Sequence, residues 1–144
     1  MTVLSSEAFD AALRQWLVQG PGPPTPTAAV ITCAWLQGQA SQGERTAREL
    51  AVWLSLSCLQ AWAQRVPGSF SGQTQAGTGL LLVPVYSEAQ ETVLALQSFL
   101  DSAVRSLGVP PSAGGWVLRV IGPLTPGTGP EVRRQLARAG WPVS

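Results

Sequence analysis

Residues 28–36 read AAVITCAWL, nine residues without a charge and rich in the β-branched and aromatic side chains that strands favour. A run that is apolar at every position, rather than every second one, fits a strand covered on both faces. Two more such runs follow, LLLVPVY at 80–86 and WVLRVI at 116–121, the latter interrupted only by Arg119. Pro84 has no N–H to give to a ladder, so it marks an edge or the end of its strand.

Helical patterns separate these strands. Ser5 and Ser6 offer an N-cap, and Phe9, Leu13, Trp16 and Leu17 recur on one face, which predicts a helix from about Glu7 to Gln19. Gly20 stops it, and the Pro/Gly-rich segment 20–27 reads as a stiff internal spacer. Ser41 and Glu44 have the S-x-x-E spacing of a capping box and open a second helix that continues to Arg65. That helix is apolar around much of its circumference and carries no charge from Leu50 to Gln64, so it is either central to the core or holds surface for a partner. Residues 68–79, GSFSGQTQAGTG, read as a flexible polar loop. Ser87 and Gln90 supply another box before a helix with Val93, Leu96, Leu100, Ala103 and Leu107 on one side, ended by Gly108. Thr128 and Glu131 repeat the box before a short helix carrying Val132, Leu136 and Ala139. The order αβαβαβα with continuously apolar strands predicts one α/β domain over residues 1–144, built on a small three-stranded, mostly parallel sheet. The alternative is α+β with a mixed sheet.

Composition narrows the function. The charged share is 12%, about half the usual ~25%, so Gln, Ser, Thr and Gly must cover much of the surface. Nine Arg against eight acids leave a net charge of +1, which supplies no field to collect nucleic acid or anionic lipid. Lys and Asn are absent, a bias that a GC-rich genome explains. There is no His, which removes Ser–His and Cys–His catalysis, and two cysteines cannot make a zinc knuckle. No metal and no cofactor are expected. Cys33 and Cys58 read as small buried hydrophobes. Residues Met1 to Asp10 lack the basic start of a secretory signal, and no apolar run reaches the ~18 residues of a membrane span, so a cytoplasmic protein is expected.

Several residues are candidates for chemistry. Arg45 and Arg48 follow the first strand, and Thr128, Gly129, Arg133 and Arg134 follow the third, where helix starts and guanidinium groups can hold a phosphate or carboxylate. Gly127-Thr128-Gly129 nevertheless matches neither phosphate-loop nor dinucleotide spacing. Ser87 and Glu88 beside Tyr86 could be drawn as nucleophile and base, and Glu44, Glu49, Glu88 and Glu91 as magnesium ligands, yet helix capping explains most of them. Trp53, Leu56 and Trp62 on the uncharged helix are candidate interface residues.

VITCAW at 30–35, followed by Ser41, Glu44 and Arg45, resembles an uncharacterised bacterial family whose members open with an I-T-A-W-N-P strand and an S-x-x-E-N helix start. The Asn-Pro is replaced here by Leu36-Gln37, and the final Asn by Arg45. The resemblance spans at most residues 30–108 and implies a compact α/β domain and no reaction. The sequence therefore favours a non-catalytic bacterial interaction domain that self-associates or docks a protein partner through its second helix and a sheet edge. The alternatives are an enzyme binding a small anionic ligand or phosphate in the loops after the strands, and an accessory protein of DNA metabolism.

Overall fold

The computed structural model describes residues 4–19, 27–37, 44–109 and 114–141. Its elements are α1 (Ser6–Gln19), β1 (Ala28–Gln37), α2 (Glu44–Arg65), β2 (Ser71–Gln73), β3 (Gly79–Val83), α3 (Ala89–Ser106), β4 (Gly114–Leu124) and α4 (Gly129–Arg138), with a 3-10 turn at Tyr86–Glu88. The expected spacer at 20–26 and the Ser41 end of the second helix's box lie outside the described residues.

The sheet corrects the expected topology. It has four strands in the order β2-β3-β1-β4, and every neighbouring pair is antiparallel. The arrangement is α+β, as the alternative had it, but the sheet is antiparallel throughout rather than mixed, and it replaces the expected three-stranded, mostly parallel one. Two β-α-β units, β1-α2-β2 and β3-α3-β4, each hold a strand of the other between their own, a ferredoxin-like interleaving. The reason lies in Ser71–Gln73. These three residues carry no apolar signal, yet they pair with Gly79–Leu81 and turn residues 71–83 into a hairpin. A Cβ on Gly72 would lie 2.8 Å from Phe9 and 2.9 Å from the Leu4 carbonyl, so only glycine lets this strand pass beneath α1.

Both sheet faces are covered, as the continuous apolar runs require. Ala29, Ile31 and Cys33 face α2 and α3, packing with Ala51, Leu59, Leu96 and Leu100. Ala28, Val30, Leu80, Leu82 and Leu124 face α1 and α4, packing with Phe9, Leu13, Leu17, Val132 and Leu136. The four-residue spacing of Phe9, Leu13 and Leu17 puts all three on one side of α1, and all three are fully buried. Burying each such side chain contributes about 1.5–3 kcal/mol.

Several local expectations meet the structure directly. β3 ends at Val83, one residue before Pro84. Thr128 accepts from the Glu131 N–H while the Glu131 carboxylate accepts from the Thr128 N–H, a complete capping box. The box expected at Ser87 and Gln90 does not form. The 3-10 turn carries the chain through Ser87, α3 begins at Ala89, and its N-cap Glu88 makes no side-chain cap bond. Thr92 instead donates its hydroxyl to the Glu88 carbonyl. No described helix is long and apolar enough to cross a membrane.

Candidate functional site

The expected interface residues separate on α2. Trp53 is 61% exposed, whereas Trp62 is half-buried against the α2/α3 core. Nine residues at 100° each place the two rings on opposite sides of the helix. Leu56 is half-buried on the Trp53 side, so that pair alone shares a surface. The uncharged helix is therefore mainly a core helix.

The expected anion ligands do not converge either. Arg48, on α2, reaches across to donate to the Ala76 carbonyl at 3.4 Å, and the Arg45 side chain lies outside the described residues. Thr128 caps α4, which carries Gly129, Arg133 and Arg134 on the other face of the sheet. At that helix start the Glu131 carboxylate takes the Thr128 N–H, so the chain's own anion sits where a ligand would bind. Arg133 and Arg134 are exposed. Tyr86, Ser87 and Glu88 lie on a surface turn, and no group of three potential metal ligands occurs among the described residues.

Cys33 and Cys58 meet where β1 packs on α2, and both are free thiols. Burial pushes the Cys33 thiol up to about 12, with Cys58 adding to the shift, and burial raises Cys58 as well. Neither is a thiolate near neutral pH, so nucleophilic chemistry is not their role. A thiol whose pKa is raised by folding stabilises the fold fully below its unfolded value of 9.0 and loses that contribution as pH climbs toward about 12. Urea midpoints should accordingly fall across that interval, and Cys33→Ala should flatten the fall. An equal fall in the variant would assign the loss to other groups.

Two surface features remain around β4. Under the C-terminal end of α3 lies a cavity of about 150 Å³ lined by Trp35, Trp116, Asp101 and Arg105. The two indoles are register partners in β1 and β4 and meet edge to face, 4.9 Å between centroids and 75° between planes. Their N–H groups are sealed and have no hydrogen-bond partner, so a molecule in the cavity could not reach them. On the opposite face of the sheet, a groove of about 920 Å³ is floored by Thr32, Leu80, Arg119 and Ile121. Nothing in the sequence marked Arg119 as more than an interruption of its strand, because the groove exists only once three distant segments wall it in.

β4 itself forms one margin of the sheet. Its residues Gly114–Ile121 pair with Val30–Gln37 without interruption, and among the described residues no strand pairs with their outer side. A register shift between Ala28 and Val30 bulges β4 near Gly122 and Pro123, at the far end. The opposite margin, β2, is three residues long and is bridged by Leu4 at Gly72. No family model matches the chain, and no curated protein matches it.

Proposed function

We propose that this chain is a cytoplasmic, non-catalytic interaction domain that self-associates by pairing β4 of one copy with β4 of a second. The observation that carries this reading is the eight-residue stretch Gly114–Ile121, which among the described residues pairs with a strand on one side alone. An unpaired margin of that length, roughly 26 Å, offers a row of backbone donors and acceptors that an identical antiparallel strand satisfies about a two-fold axis. Natural edges are usually blunted by proline, bulges or several charges. Here the bulge and Pro123 sit at the far end, and the stretch carries a single charge, Arg119. A net charge of +1 adds little repulsion between copies. α3, rather than α2, packs mainly against β4, so Trp53 is not part of this interface. The two free thiols fit a reducing compartment.

Size-exclusion chromatography with light scattering tests the reading. The expected result is twice the 15.1 kDa chain mass. Val117→Lys sets a second cation beside Arg119 on the same strand face, so that like charges face one another across the paired strands. It should return the protein to single chains with unchanged far-UV circular dichroism. A wild-type monomer at high micromolar concentration, or a dimer indifferent to Val117→Lys, would overturn the proposal.

A further inference from the structure

α1 and α4 bury the sheet around Val30, Leu80, Leu82 and Leu124 but leave Thr32 half-buried and Arg119 exposed beside them. The strand register sets Thr32 between Leu80 on β3 and Arg119 on β4. Together with Ile121 these residues floor the 920 Å³ groove. One wall is the start of α1, with Ser6 and Glu7, and another is the end of the α4 segment at Ala139 and Gly140. The third is the hairpin tip, where Thr74, Gln75 and Thr78 line the space.

That tip is held in place. The Thr74 N–H donates to the Thr78 carbonyl at 2.9 Å, the Thr78 N–H donates to the Thr74 hydroxyl at 3.1 Å, and Arg48 ties Ala76 to α2. Gly77 takes φ +87°, a backbone conformation that strains any residue with a side chain. The wall's polar groups are thus positioned before any ligand arrives, which lowers the ordering cost of binding.

The Arg119 side chain has no hydrogen-bond or ion-pair partner among the described residues. Among the described residues, its guanidinium and the Glu7 carboxylate are the only charged side chains lining the groove. Glu7 lies at the start of α1, next to the Leu4 bridge on β2, while Arg119 is three strands away. No ion pair within 4 Å joins the two among the described residues. The remaining polar lining consists of neutral hydroxyl and amide groups, with no aromatic ring.

We infer that this groove binds a small, hydroxyl-rich organic anion, its phosphate or carboxylate held by Arg119 and its hydroxyls by Thr32, Thr74, Gln75 and Thr78. A planar guanidinium binds either anionic group through paired N–H bonds. Threonine and glutamine side chains both donate and accept, as hydroxyls require. The absence of a ring from the lining disfavours a nucleobase.

Titration calorimetry on the full chain tests the inference with glucose 6-phosphate and gluconate, which separate phosphate from carboxylate, and with glucose and inorganic phosphate as controls. At least one of the two hydroxylated anions should bind saturably and more tightly than either control, with amide shifts centred on Thr32, Thr78 and Arg119. Arg119→Met keeps the aliphatic stem and should weaken that binding by at least about tenfold. Its far-UV circular dichroism and urea midpoint should match wild type. Failure of both anions at millimolar concentration, binding no tighter than phosphate alone, or affinity unchanged in Arg119→Met would each overturn it. Chain mass in solution is a separate readout, so this result stands apart from that of the β4 interface.

Discussion

Phe9→Ala should lower folding stability by about 3–5 kcal/mol, the cost of emptying a fully buried aromatic site that its neighbours cannot close. Phe9 is where the α1/α4 layer is joined to the sheet. Its ring meets Phe70 edge to face at 5.1 Å and stacks on Trp141 at 5.9 Å, and it rests over Gly72 of β2. Relaxation into the hole is hindered because β2 is fixed from its other side by pairing with β3. Against a total of about 5–15 kcal/mol, such a loss is a large fraction of the whole. Urea denaturation followed by tryptophan fluorescence measures it, and hydrogen exchange should show α1 and α4 losing protection before Ile31 and Leu59. A loss below about 1 kcal/mol would mean that α1 contributes little to holding the fold.

The second large effect is expected at Gly114. It holds φ +145°, which side chains of L-residues rarely adopt, and an added Cβ would run into the Leu36 carbonyl oxygen and approach the Trp35 ring to 2.8 Å. A backbone oxygen held in a ladder cannot step aside as a flexible side chain would. Gly114→Ala should therefore cost on the order of 3 kcal/mol through combined backbone strain and overpacking. Gly115, one residue on, has nothing within 4 Å of its added Cβ, so Gly115→Ala should change stability by less than about 1 kcal/mol. Denaturation of the two variants side by side isolates the steric cause, and equal midpoints would refute it.

Much of the architecture is legible in the sequence. The long strands, the start of α4 at Thr128, the close of α3 before Gly108 and the apolar stripe of α1 follow from periodicity and capping, which are properties of neighbouring residues. Strand direction is not such a property. Runs like AAVITCAWL at 28–36 show that both faces are covered. A parallel sheet wrapped by its crossovers does that, and so does an antiparallel sheet with terminal helices added on its second face. The deciding element, Ser71–Gln73, was hidden because its stability comes from Phe9 above and β3 beside it rather than from its own side chains. Ser87 shows the converse, a correct capping spacing overridden by the tight turn that follows Pro84. The groove was illegible for a related reason. Residues 6–7, 74–78 and 139–140 become neighbours only through the completed fold, and Arg119 acquires its setting from them.

The indole N–H of Trp141 donates to the Asp10 carboxylate at 2.7 Å, and the same carboxylate holds Arg14 at 3.0 Å. This clasp joins residues 131 positions apart in the chain. During synthesis, α1 emerges before the other elements described, but this clasp cannot close until residue 141 has left the ribosome. The α2/α3 side has no such wait for residue 141, so the nascent protein should pass through a stage in which one half of the sheet is clothed and the other bare, a period when a chaperone would find most to hold.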